Sequence, residues 1–190
     1  MKSLQLLLAF LFTGISFFQV HGQGGVQPIQ PNSPTTASWK THSGDFYQIQ
    51  YPADWDVDTS GQSGTTFFLT SLLTGDGDTF RENVNLLLQD LSAYNMDLDE
   101  YIKISEEQIG QLFPDGQIIS SDRFNTHQPE FHRLVYVGKQ GTRSMQFLAY
   151  CWLIDKTAYI LTFTCEEDQW ADYGPTGERI LKSFQLNLGK

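Results

Sequence analysis

Apolar and polar residues follow different periods along this chain, and each change of period marks an element. Behind Met1-Lys2-Ser3, residues Leu4 to Phe18 run almost without polarity. Phe46–Tyr51 alternates: Tyr47, Ile49 and Tyr51 point one way, Phe46, Gln48 and Gln50 the other, a strand that Pro52 ends. Pro52-Ala53-Asp54-Trp55 turns the chain. Thr65–Thr74 is a second β-rich run, closed by the turn Gly75-Asp76-Gly77-Asp78. Asn83–Leu91 sets Val84, Leu86 and Leu88 against Asn85, Leu87 and Gln89 as a third. The period then becomes helical: Leu98, Tyr101, Ile102, Ile109, Leu112 and Phe113 share one face. Asp97 is placed as N-cap with Glu100 at the third helical position, a capping box. Asp97, Asp99 and Glu100 put negative charge at the positive end of the helix dipole, and Pro114 closes the helix.

Strands follow over Gly116–Asn125 and, after a loop at Thr126–Glu130, over Phe131–Val137, Arg143–Ile154 and Ala158–Cys165. Gly138-Lys139-Gln140-Gly141 reads as a turn, and the last two strands as a hairpin joined at Asp155-Lys156. Phe147, Ala149, Cys151 and Leu153 lie on one side of the first hairpin strand; Leu148, Tyr150, Trp152 and Ile154 lie on the other. A strand apolar on both faces is covered on both faces. A C-terminal helix supplies one cover, with Ile180, Leu181 and Phe184 on its buried face and Glu178 to Lys182 as an i,i+4 pair. Pro175 suits its first turn or a kink. The pattern predicts an α+β fold: a mostly antiparallel sheet of about six to seven strands with helices on both faces.

The apolar run after Lys2 changes the picture of the N-terminus. One positive residue, an apolar core and Val20-His21-Gly22 make a signal peptide over 1–22; an uncleaved anchor or a buried strand is the alternative. Residues 23–38 hold three prolines, two glycines and no charge, an extended tether. Residues 39–190 form the domain. Removing 22 of the 190 residues leaves 168, enough for one core without a metal or disulfide. The sequence thus predicts an exported protein, periplasmic or extracellular, with no transmembrane segment after cleavage.

Charge and cysteines narrow the function. Asp and Glu number 22 against 12 Lys and Arg, a net charge of −10 that loss of Lys2 takes to −11. Such a field repels nucleic acid and anionic membrane faces and favours solubility. The two-residue hairpin places position 151 opposite 160 and 165 opposite 146, so Cys151 and Cys165 lie about 16 Å apart at roughly 3.3 Å per residue. They also face opposite sides, so they are predicted to be separate buried thiols.

No motif assembles a reaction centre, and no catalytic, cofactor-binding or metal residue is assigned. Asp76-Gly77-Asp78 with Glu82 lacks the remaining positions of a calcium loop and reads as a turn. His127 and His132, with Glu130 between them and His42 remote, read as loop and strand residues rather than zinc ligands. Nucleophile-elbow and phosphate-cradling glycine patterns are missing. Asp97, Asp99, Glu100, Glu106 and Glu107 make a solvated helix face or a docking face for a basic partner. Tyr47, Trp55, Trp152 and Trp170 read as core in a chain that is 14% aromatic.

Five phrases in order resemble the PsbP-like family: Phe46–Trp55, with its Tyr-Pro-x-x-Trp; Glu82-Asn83-Val84-Asn85-Leu86-Leu87; Leu98-Asp99-Glu100-Tyr101; Lys156–Thr162; and Ile180–Phe184. The match spans residues 39–187. The resemblance implies an antiparallel sheet between helices and no enzyme; members include photosystem II extrinsic subunits, a nuclear-transport regulator and periplasmic or chaperone-like bacterial proteins. The expected function is a non-catalytic exported binding or assembly module docking on an unidentified protein partner or envelope complex. The alternatives are a small-molecule or metal-ion binder, such as a calcium binder, or a photosystem II extrinsic-type subunit. An enzyme, with His132 among the few clustered polar residues, ranks last.

Overall fold

The structure, a computed structural model, describes residues 38–187 apart from Gln128. The expected signal peptide, and the tether up to its last residue, lie outside the described residues. In chain order the elements are β1 (Trp39–Ser43), β2 (Tyr47–Pro52), β3 (Asp56–Asp58), β4 (Thr65–Thr70), β5 (Asn83–Asp90) and α1 (Leu98–Leu112). Then come β6 (Gln117–Phe124), β7 (Phe131–Gln140), β8 (Arg143–Ile154), β9 (Thr157–Glu166), α2 (Trp170–Lys182) and β10 (Gln185–Leu186). None of the described helices is long and apolar enough to cross a membrane.

The β8–β9 hairpin sets the register of the rest. Asp155 and Lys156 both take positive φ, 48° and 62°, the pair of left-handed conformations that matches a two-residue turn to the twist of its strands. Cys151 then faces Ile160, and Cys165 faces Gln146. Outward from this hairpin the strands add antiparallel in the order β3-β4-β5-β9-β8-β7-β6. The chain builds one side of the sheet through β5, crosses the whole face as α1, and returns from the far edge through β6 and β7. That crossing is why α1 lies over the sheet. It buries Leu98, Tyr101, Ile102 and Ile109 against Leu134, Tyr136, Phe147, Ala149, Cys151 and Ile160.

The opposite face is covered by α2 together with a second, three-stranded sheet of order β1-β2-β10. Tyr47, Ile49 and Tyr51 of β2 join Ile180 and Leu181 of α2 over Phe67, Leu86, Leu148, Leu161 and Phe163. The sheet thus has helices on both faces, as its doubly apolar hairpin strand predicts. Leu148, Leu161 and Phe163 are fully buried, each worth about 1.5–3 kcal/mol of transfer from water.

Four expectations change in detail. The Thr65–Thr74 run ends as a strand at Thr70, whose partner is Asn83. One further bond, from the Ser71 N–H to the Glu82 carbonyl at 2.8 Å, closes the ladder; Leu72 and Leu73 fall in the loop beyond it. The expected turn at 138–141 is mostly strand, because β7 pairs as far as Gln140 with Arg143. Only Gly141 and Thr142 turn, Gly141 at φ 63°. Gly138 pairs with Met145 within the ladder, and only glycine fits there, since a Cβ would lie 2.3 Å from the ring of Phe113. Pro175 is the sixth residue of α2, inside the helix and beyond its first turn. Finally, β1, β3 and β10 are strands that the apolar period does not mark: β3 and β10 hold three and two residues, too few to show a period.

Candidate functional site

Two places on the molecule gather polar or exposed groups that folding alone does not demand. The first lies between α1 and the sheet. A cleft of about 40 Å³ is lined by Tyr101 and Ser105 of α1 and by Ala149, Cys151, Ile160 and Thr162 of the sheet. Small side chains on β8 leave the space, because the helix cannot settle closer over its own tyrosine. The Tyr101 hydroxyl donates to Gln89 at 3.0 Å, and the Ser105 hydroxyl to the Tyr101 carbonyl at 2.8 Å. The Thr162 hydroxyl is buried with no hydrogen-bond partner. Burial pushes the Cys151 thiol up to about 12, so it carries no thiolate at neutral pH and is not a nucleophile.

Glu106 of α1, Ser121 of β6 and His132 of β7 form a separate polar trio between α1 and the sheet edge. The Ser121 hydroxyl donates to Glu106 Oε1 at 2.5 Å and lies 2.7 Å from His132 Nε2. A carboxylate only accepts, so the single Ser121 proton points to Glu106, and Nε2–H must donate to the serine oxygen. The remaining ring nitrogen, Nδ1, is a buried lone pair without a partner. A serine nucleophile needs the reverse arrangement, with a histidine lone pair on the hydroxyl and the carboxylate on the far nitrogen. This trio ties α1 to β6 and β7 and does not activate Ser121. Burial holds the His132 imidazole below its ordinary value, against the opposing pull of Glu106.

The second place is the loop between β4 and β5. Leu72 and Leu73 are 51% and 52% exposed, although the loop around them is firmly held. Ser71 donates to Glu82 Oε2 at 2.9 Å. Asp78 accepts from the Thr74 N–H at 2.8 Å and from the Phe80 N–H at 3.1 Å. Arg81 bonds Asp56 and the Ser71 carbonyl, and Phe80 is buried in the core under α1. Burial raises the Glu82 carboxyl above its ordinary range. Single exposed leucines are commonplace; an adjacent pair just beyond the hydrogen-bonded base of a loop is the pattern of a contact surface.

Asp76, Asp78 and Glu82 do not converge, and among the described residues no three His, Cys, Asp or Glu side chains are placed to hold a metal ion. His127 is exposed beside the Phe124 and Phe131 rings, and His42 bonds the Tyr47 hydroxyl at 2.9 Å. The acidic face of α1 is largely engaged within the molecule. Asp97 and Glu100 complete the capping box, Asp99 pairs with Arg123 at 2.9 Å, and Glu106 accepts the Ser121 hydrogen bond. Tyr47, Trp55 and Trp152 are core, and Trp170 packs on it. Cys151 and Cys165 are free and buried. Sequence reasoning missed Leu72 and Leu73, which alternation had placed in a strand, and the pairing of Glu106 with Ser121, which bridges separate elements.

Solved structures share this architecture. Cyanobacterial PsbP (CyanoP) from Synechocystis superposes with a TM-score of 0.59 at 16% identity, covering 83% of this chain and 97% of that one. The chain has a PsbP-like fold. LpqN of Mycobacterium tuberculosis, involved in cell envelope biogenesis, matches with a TM-score of 0.56 at 10% identity, over 80% of this chain and 92% of its own. A Pseudomonas aeruginosa protein of unknown function gives 0.51 at 10% identity, over 76% and 94%. No protein-family model matches the sequence, and no curated protein does. Within the PsbP-like fold the five resembling phrases take structural places. They form β2, β5, the first turn of α1, the central turn with β9, and the end of α2. Tyr101, Ile160 and Thr162 of the cleft and Glu82 at the base of the loop fall within those phrases, whereas Leu72, Leu73, Glu106, Ser121 and His132 fall outside them.

Proposed function

We propose that this chain is an exported, non-catalytic binding or assembly module that docks on a protein partner. The observation that carries the reading is the exposed Leu72–Leu73 pair, on a loop whose base is closed by Ser71 and Glu82 and whose far limb is bonded to the body through Arg81 with Asp56 and Arg143 with Thr79. Exposing two adjacent leucines on an ordered loop gains nothing for folding, and a partner that covers them recovers the transfer free energy. The PsbP-like fold suits the role, since it presents its connecting loops on a sheet sandwiched between covers. An envelope setting agrees with the apolar N-terminal run and with the process in which LpqN is involved.

The test is affinity capture of the tagged, exported protein from its native envelope, beside the Leu72→Ser/Leu73→Ser variant. A partner recovered in near-equal amount by the natural chain and lost by the variant is the expected result. Recovery of no partner by either would overturn the reading.

A second reading is a small-molecule binder, favoured by the unpartnered Thr162 hydroxyl over the cleft beneath α1. A ligand there at a hundred times its dissociation constant raises stability by about 2.7 kcal/mol. A thermal-shift panel of small alcohols and amphiphiles, read against Thr162→Val, separates the two: a shift abolished by the substitution places a ligand in the cleft.

A further inference from the structure

Resting on the reading of Leu72–Leu73 as a docking surface, the geometry points to the chemistry of what docks there: a basic, apolar protein segment, with Lys or Arg spaced between large aliphatic side chains. Three observations converge on it. The leucine pair supplies an apolar contact that water does not favour. Around it the charge is predominantly negative: Asp76, Asp78, Glu82, Glu166, Glu167, Asp168 and Asp172 outnumber Arg81 and Arg143. Asn83, where the loop ends, pairs with Thr164 of β9, and Arg143 of β8 reaches both Thr79 of the loop and Glu166 at the end of β9. The chain enters α2 one short turn beyond Glu166. The loop, the end of β9 and the start of α2 therefore meet at one end of the sheet.

The ion pairs at this end are Arg81 with Asp56 and Arg143 with Glu166. They leave Asp76, Glu167, Asp168 and Asp172 exposed and outside any ion pair among the described residues. An open hollow of about 470 Å³ adjoins the loop, lined by Thr142, Arg143, Ser144, Glu166, Glu167 and Asp168. Arg143 joins the two, bonding Thr79 of the loop at 2.7 Å and Glu166 of the hollow at 3.0 Å. A partner whose aliphatic residues cover Leu72 and Leu73 can lay a cationic side chain into this hollow, against Glu167 and Asp168.

An acidic or neutral apolar segment would bury the same leucines but carry its charges against four uncompensated carboxylates, or leave those carboxylates without hydration or partner. The acidity of the chain as a whole, −10, extends the same preference to the encounter: basic partners are steered in, with an on-rate that falls as salt rises. The acidic face of α1 competes less as the docking place, because Asp97 and Glu100 are engaged by the cap, Asp99 by Arg123 and Glu106 by Ser121, which leaves Glu107 exposed.

The experiment uses the full chain and two synthetic amphipathic peptides, one built of Leu and Lys and one of Leu and Glu in the same order, followed by fluorescence anisotropy. The Leu/Lys peptide is expected to bind and the Leu/Glu peptide not to. Affinity for the Leu/Lys peptide should drop at least about tenfold in Leu72→Ser/Leu73→Ser, and again in Glu167→Gln/Asp168→Asn. It should weaken with added salt. All four substitutions are at exposed positions, so unchanged melting shows that folding is intact. Equal binding by natural chain and leucine variant would overturn the inference, as would binding of the Leu/Glu peptide. Leucine-dependent binding to phosphatidylcholine vesicles, with no peptide binding, would also overturn it by making the occupant a lipid surface. Failure here leaves the docking reading standing if envelope capture still yields a leucine-dependent partner of other chemistry. Failure of capture with retained peptide binding removes the native partner and keeps the surface chemistry.

Discussion

Lys156 occupies a left-handed conformation that its Cβ disfavours, and it does so in the turn that sets the register of the central hairpin. Glycine adopts that conformation without the clash, a difference of about 1 kcal/mol. Lys156→Gly should therefore stabilise the protein by roughly 0.5–1 kcal/mol, less the entropy glycine adds to the unfolded chain. The measurement is a urea titration, with a raised midpoint expected. Two helix glycines show how surroundings set the sign of one substitution. Gly110 of α1 is exposed, and a Cβ there meets nothing within 4 Å. Gly110→Ala should gain about 0.5–1 kcal/mol from helix propensity. Gly177 of α2 lies over Phe163, whose ring would be 2.3 Å from the new Cβ. Phe163 is fully buried and cannot move aside, so Gly177→Ala should lose about 1–3 kcal/mol despite the same propensity gain. Thermal melts of the pair check both; shifts of the same sign would contradict the packing described.

At the scale of elements, α1 is attached by an apolar stripe on its inner face and by polar links along its rim. His132 makes one of those links sensitive to pH. Burial keeps its imidazole below the ordinary 6.5. As pH falls through 6.5 the unfolded chain takes up this proton before the folded one does. The unfolded state then binds more protons, and stability declines toward acid. Glu82 acts in the opposite sense. Burial raises its carboxyl above 4.5, so the folded state holds the extra proton above that value, and stability rises as pH falls toward it. Between pH 7 and 5, His132→Gln, which keeps a donor for Ser121, should flatten the fall in melting temperature without abolishing it. His42, also lowered by burial, remains. An unchanged slope in the variant would mean that His132 takes up its proton at the same pH in the folded and the unfolded chain. Strands with a full period, β5 and β8, were legible in the sequence almost to the residue, as were α1 with its cap and the β8–β9 turn. β4 was over-extended because Leu72 and Leu73 look like strand residues; the end of its ladder is decided by where Asn83 pairs. β3 and β10 exist only because a neighbouring strand offers hydrogen bonds.

For the whole molecule, both faces of the seven-stranded sheet are closed by residues between Trp39 and Leu186. A chain beginning at Ser38 should melt with the one beginning at Gln23, compared by calorimetry; a lower midpoint would give the tether a structural role. The sequence by itself determined the α+β class, the doubly apolar hairpin, the helix between two sets of strands, the acidic balance and the separation of the two thiols. Each follows from period, parity or a count, which are local properties. Only the tertiary structure decided which strands became neighbours. It set β5 beside β9 and brought Glu106, Ser121 and His132 together from three elements. It also left Leu72 and Leu73 outside the ladder, next to the acidic start of α2. Proximity between distant segments depends on how crossovers close over a sheet, and no period along the chain records that. The fold was therefore legible in advance, while the surface proposed for docking was not.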